Sequence, residues 1–147
     1  AAALRGAGGS SEPTPLSDAP APAVAPATVY ACYADETPFL DLLQSLVALD
    51  TAGAPAYFWL RPFCAEASHS LPEEMPPLWV EKVFPEWLAS IGRTCLILTP
   101  WKDPLPLRRA WCLYELLVTV IQALTLTVQL PPSRVASFEE ALHSDPA

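Results

Sequence analysis

Between Asp103 and Glu139 the chain carries a single acidic residue, Glu115, inside an apolar segment with Trp111, Tyr114 and Leu116 close by. A carboxylate among such neighbours is partly desolvated, which raises its pKa unless a cation pairs with it. Arg108 and Arg109 are the cations just upstream. On a helix Trp111, Glu115, Val118 and Gln122 lie near one face, with the carboxylate turned toward the rim of the turn that precedes the helix. Two plainer readings compete. Glu115 can be a surface glutamate favourably placed in the helix dipole, or residues 111–130 can be a membrane-anchoring span, since the stretch holds one charge over about the length of a bilayer crossing. Gln122, Gln129 and three threonines dilute that span, and its last residues alternate like a strand.

The other reactive residue types offer less. Cys32, Cys64, Cys95 and Cys112 are far apart, with no CxxC pair and no histidine at ligand spacing, so no metal site is expected. Each sits where a small core hydrophobe would, which points to reduced thiols and a cytoplasmic protein. His69 and His143 stand in polar segments and read as solvated. With a net charge of −8 and a pI of about 4.5, the chain is a poor match for nucleic acid. Its largest basic cluster, Arg108-Arg109, is too small to hold anionic lipid, so no membrane partner is expected.

These residues need a scaffold, and 147 residues with 52% apolar content suffice for one domain with a full core. Residues 1–27 are rich in Ala, Pro, Gly and Ser without an aromatic, which predicts a disordered leader. From residue 28 the composition changes. Val29-Tyr30-Ala31-Cys32-Tyr33 reads as a strand, and Phe39, Leu42, Leu43, Leu46 and Val47 as the buried stripe of a helix capped by Thr37-Pro38. After Gly53 and Pro55, Tyr57-Phe58-Trp59-Leu60 reads as a central strand covered on both faces. Residues 61–77, with four prolines, make a long candidate functional loop. Val80, Val83, Phe84, Trp87, Leu88 and Ile91 form the next helical stripe, kinked or started by Pro85 and closed by Gly92. Trp59, Trp79 and Trp87 read as packing residues. Thr94 to Leu98 is a third strand, followed by a proline-rich turn carrying Trp101. A helix from near Leu107 then buries Leu113, Leu116, Leu117, Val120 and Ile121, and Thr125 to Leu130 is a fourth strand. Residues 131–147 supply a partial helix around Phe138 to Leu142, or a tail.

Short apolar strands alternating with helices imply a parallel α/β sheet flanked by helices, flavodoxin-like in layout, with ligands expected at the carboxyl ends of the strands. Those ends are Asp35-Glu36, the loop from Arg61, and Thr99 to Leu107.

The segment Leu98-Thr99-Pro100-Trp101, followed by Arg109-Ala110-Trp111-Cys112-Leu113-Tyr114-Glu115-Leu116, resembles the strand, turn and Trp-Cys-Leu-x-Glu-Leu helix of TIR domains. Val29 to Glu36 is similar to the first TIR strand and the acidic residues after it. The order and spacing of these motifs agree over residues 28–130, and the chain is also similar to TIR-like regions of algal and oomycete proteins, often joined to tetratricopeptide repeats. The resemblance implies a TIR-like, flavodoxin-like fold, here without its last strand and helix. It implies a signalling and protein-interaction module that associates with itself or with other TIR-like domains. In catalytic TIR domains the glutamate of this helix assists hydrolysis of NAD at the nicotinamide N-glycosidic bond, and by motif position that residue is Glu115. Tyr33, Asp35, Thr99, Trp101 and Trp111 are then the expected NAD-contacting residues. A non-enzymatic adaptor is the alternative. The sequence also departs from the family within the loops: Arg61-Pro62 opens the loop after strand two, which lacks glycine, Thr99 stands where serine is usual, and Lys102-Asp103-Pro104 is inserted in the turn after strand three.

Overall fold

The computed structural model describes residues 2–4, 24–50, 56–64 and 77–144. Strands β1 (Ala2–Leu4), β2 (Val24–Pro26) and β3 (Val29–Cys32) lead to helix α1 (Phe39–Asp50), then β4 (Phe58–Trp59) and a single helical turn, α2 (Arg61–Cys64). A π-helical turn over Trp79–Val83 runs into α3 (Phe84–Ile91), followed by β5 (Arg93–Ile97) and a 3-10 turn, Leu105–Arg108. Helix α4 (Ala110–Ile121), strand β6 (Thr125–Gln129) and helix α5 (Pro132–Ser144) complete the described chain.

The strands form one sheet in the order β2-β1-β4-β3-β5-β6. The last four are parallel, and β1 and β2 join antiparallel at one side. The mixed α/β architecture with a parallel sheet is therefore as the alternation of elements predicts. The leader reading is corrected for six residues, because Ala2–Leu4 and Val24–Pro26 lie in the sheet. Pairing there runs through the main chain, which small side chains do not prevent. The rest of residues 1–23, most of the expected loop after Arg61, the helix-ending Gly53 and Pro55, and His69 lie outside the described residues.

β3 is buried along its whole length, as a strand covered on both faces must be. Its side chains alternate: Val29 and Ala31 pack with Leu42 and Leu46 of α1, whereas Tyr30 and Cys32 pack with Phe84 and Leu88 of α3 and Cys112 and Val118 of α4. Trp59, Trp79 and Trp87 join this second core as packing residues, with Trp59 and Trp87 stacking on or against Tyr30. Cys32, Cys95 and Cys112 are buried free thiols, as expected for core cysteines; the side chain of Cys64 is outside the described residues.

Helix α1 buries only part of the stripe its apolar spacing predicts, and α4 turns a different face inward. In α1 the buried residues are Leu42, Ser45 and Leu46, while Phe39 and Val47 are exposed. Ser45 is accommodated because its hydroxyl donates to the Asp41 carbonyl at 2.7 Å. In α4 the inward face is Cys112, Glu115, Val118 and Thr119, and Leu113, Leu117, Val120 and Ile121 are exposed. The polar members have partners waiting in the sheet: Thr119 shares a 2.8 Å hydrogen bond with Thr94, and Glu115 meets Tyr30. A buried polar side chain with its bond made carries little penalty, so the apolar residues are left on the outer surface.

The stretch 111–130 is a helix, a turn and a strand, which overturns the reading of one membrane-spanning segment. Among the described residues no helix is long and apolar enough to cross a membrane. Strand β6 ends before Pro131, and Pro132 opens α5, a position where its missing N–H costs nothing.

Candidate functional site

Glu115 projects from the second turn of α4 onto the sheet and is completely buried. Neither the expected surface position nor an open rim describes it. Its Oε1 accepts a 2.5 Å hydrogen bond from the Tyr30 hydroxyl and lies 3.4 Å from the Arg61 guanidinium. Oε2 is buried with no hydrogen-bond partner among the described residues. The cation is thus Arg61, not either arginine upstream of the helix. Arg108 pairs with Asp103 at 2.6 Å, and Arg109 with Glu36 at 2.5 Å and Asp35 at 3.3 Å.

Three segments distant in sequence create this arrangement. Tyr30 occupies an even position of β3, so its side chain faces α4. Arg61 opens the helical turn immediately after β4, the strand next to β3. Asp35 follows the carboxyl end of β3 and accepts from Arg61 at 2.7 Å. Arg61 therefore bridges a half-exposed aspartate and a wholly buried glutamate, its own side chain 24% exposed. It stands between the carboxylate and solvent at the carboxyl end of the parallel strands.

Burial drives the electrostatics. It pushes the Glu115 carboxyl above the ordinary glutamate value, and Cys32, Tyr30, Arg61 and Trp111 nearby pull it back only in part. Burial, reinforced by Glu115, holds the Tyr30 hydroxyl well above the usual tyrosine range. Tyr33 is pushed up to about 12 by burial. For Arg61, burial works against the charge, but Asp35, Tyr30, Glu115 and Tyr33 more than offset it, so the guanidinium stays protonated.

The expected ligand-contacting residues divide. Tyr33 is buried beside the site, its carbonyl facing the Cys112 thiol at 3.4 Å, and its hydroxyl has no partner among the described residues. Asp35 belongs to the network through Arg61. Trp111 is half-buried and packs on Trp79 and Phe84 on the α3 side. Thr99 is buried. Trp101 lies elsewhere: its indole donates to Ser137 at 3.1 Å, its ring packs edge-on against Phe138, and it lines a depression with Pro100, Lys102, Arg134 and Glu140 beside α5. That depression does not include Glu115. Sequence reasoning missed Tyr30 and Arg61. The even spacing of Tyr30 and Cys32 on a strand was a usable signal for the first, whereas nothing in the local pattern marks Arg61.

Cys32, Cys112 and Glu115 bring ligand atoms within 4.8 Å of one another, all three residues buried. Arg61 already places a positive charge 3.4 Å from the same carboxylate, which disfavours a cation there. No protein-family model, curated protein or solved structure matches the chain.

Proposed function

We propose that this chain is a TIR-like signalling module that works by protein association, with itself or with other TIR-like domains. The observation that carries this reading is a contrast between two surfaces of one helix. The carboxylate of α4 is sealed beneath Arg61, while Leu113, Leu117, Val120 and Ile121 of the same helix are open to solvent. Exposed apolar surface of this kind marks an association site. Two further features support a TIR-like assignment. The parallel strands run β4-β3-β5-β6, which in chain order is 2-1-3-4, the order of flavodoxin-like sheets. The two motif segments, around Tyr30 to Cys32 and Trp111 to Leu116, also pack against each other through Tyr30–Glu115 and Cys32–Cys112 contacts.

A second reading, hydrolysis of NAD at the nicotinamide N-glycosidic bond, is favoured by one observation: Glu115 Oε2 is an unused acceptor near the carboxyl ends of the strands. Nicotinamide leaves as a neutral group, and an ionised carboxylate stabilises the oxocarbenium-like ribosyl centre that water then captures. This chemistry requires Arg61 to move aside and Glu115 to be ionised. Burial works against the ionisation, and the pairing with Glu115 and Asp35 works against the movement of Arg61.

The test is incubation of the full chain with NAD, alone and at a concentration that forces association, following released nicotinamide. The association reading expects no release above a protein-free control. Release that disappears in Glu115→Gln, a variant that preserves the shape of the side chain, would transfer the assignment to the enzyme reading.

A further inference from the structure

We infer that Cys32 and Cys112 form a redox pair, in which a small hydroperoxide oxidises Cys112 and Cys32 then closes a disulfide that ties α4 to β3. This goes beyond the association reading and holds independently of it.

The two cysteines come from segments 80 positions apart and meet in the core. Cys32 ends β3, and Cys112 is the third residue of α4. Their sulfurs and a Glu115 carboxylate oxygen lie within 4.8 Å of one another. The hydrogen bonds are reciprocal. The Cys32 thiol donates to the Cys112 carbonyl at 3.9 Å, and the Cys112 thiol donates at 3.4 Å to the carbonyl of Tyr33, the residue after Cys32. Each sulfur therefore lies against the main chain that carries the other, the close backbone approach that a disulfide needs. A bonded pair of sulfurs is roughly 2 Å apart, so closure draws the first turn of α4 toward the carboxyl end of β3. Cys95 takes no part, because it packs with Val29 and Ala31 in the core on the other face of the sheet.

The surroundings divide the roles. Cys112 lies in the first turn of a helix, where free main-chain N–H groups favour a thiolate. The Cys32 thiol beside it, helped by Arg61 and Arg109, pulls the Cys112 thiol below its ordinary value against the effect of burial. Cys32 is pushed upward, first by Cys112 and then by burial and Glu115. Access points the same way. Cys112 is flanked by half-buried Trp111 and exposed Leu113, whereas Cys32 is flanked by buried Ala31 and Tyr33. Cys112 is thus the nucleophile and Cys32 the resolving thiol. Both sulfurs are buried, which restricts the oxidant to a small one.

The chemistry balances with a hydroperoxide as the oxidant. The Cys112 thiolate attacks one peroxide oxygen and breaks the O–O bond, giving a sulfenic acid. The departing alkoxide takes up the proton that Cys112 gave and leaves as an alcohol. Cys32 then attacks the Cys112 sulfur, and hydroxide leaves with the Cys32 proton as water. Two thiols lose two electrons in all, and the hydroperoxide is reduced to alcohol and water. Closure also removes the Cys32 thiol, one of the groups that hold the Glu115 carboxyl down, so the disulfide and the Glu115 proton are coupled.

The experiment treats the folded full chain with hydrogen peroxide, counts free thiols after unfolding and maps disulfides by mass spectrometry. Every sample carries Cys64→Ser, because trypsin does not cut between Arg61 and Pro62 and would leave Cys32 and Cys64 on one peptide. Cys32→Ser and Cys112→Ser are added to this parent in turn, with a cyclic 1,3-diketone present to capture sulfenic acid. The parent is expected to lose two thiols, joined as Cys32–Cys112, with Cys95 still reduced. Cys32→Ser is expected to yield captured sulfenic acid on Cys112, and Cys112→Ser to leave Cys32 reduced. A folded parent that keeps all its thiols overturns the pair, as does a disulfide that forms only when denaturant is added; this result requires no substitution within the pair. Sulfenic acid on Cys32 in Cys112→Ser, with none on Cys112 in Cys32→Ser, overturns the assigned roles.

Discussion

Glu115→Ala is expected to lower the unfolding free energy by about 3–5 kcal/mol, the range for emptying a large buried side chain and orphaning its partners. The substitution leaves a cavity between α4 and the sheet, removes the acceptor of the buried Tyr30 hydroxyl, and deprives Arg61 of the buried half of its bridge. Against a typical total of about 5–15 kcal/mol this is a large share, and thermal or denaturant unfolding measures it directly. Glu115→Gln keeps the volume and an oxygen for Tyr30, so it is expected to remain close to wild type. The alanine variant is consequently the wrong probe of chemistry, since any activity it loses can be lost through unfolding.

Arg61→Met carries the second large effect, one that depends on pH. Glu115 has a folded pKa above its ordinary value of 4.5. Its contribution to stability is therefore fully present below about 4.5 and is lost as pH rises through the folded value. Arg61 is one of the groups that pull that folded value down. Without it the carboxyl is ionised still less readily, and the loss continues to higher pH. The variant is expected to match wild type near pH 4, where Glu115 is protonated in both. At neutral pH it is expected to be less stable by about 1–2 kcal/mol, less than a fully buried pair would cost because Arg61 retains some contact with water. Unfolding curves at the two pH values read the difference. Equal destabilisation at both would mean that Arg61 acts through packing and not through the buried charge.

The order of strands and helices could be read from the sequence because each strand is a short apolar run and each connection has its own punctuation, from Thr37-Pro38 to Gly92. The facing of α4 could not. Helix α4 is apolar nearly all round, with leucines, valines and isoleucine on the side opposite its polar residues, so periodicity pointed the stripe of Leu113, Leu117 and Val120 inward. Polar partners supplied by other segments decided the matter: Thr94 for Thr119, and Tyr30 and Arg61 for Glu115. Glu115 itself was legible as an isolated acid among aromatics. Its cation was not, because Arg61 lies 54 positions away and reaches the carboxylate only once β4 has paired with β3. Strands β1 and β2 were hidden for a different reason, since pairing through the main chain leaves little trace in Ala- and Pro-rich side chains.

The Glu115 carboxylate is buried, bonded to Tyr30 and paired with Arg61. A ¹³C-carboxyl NMR titration of the full chain, with the Glu115 signal assigned by its disappearance in Glu115→Gln, reports on that group alone. The predicted result is a midpoint clearly above 4.5, moving higher still in Arg61→Met. A midpoint at or below 4.5, unchanged by Arg61→Met, would place the side chain in water and contradict the account.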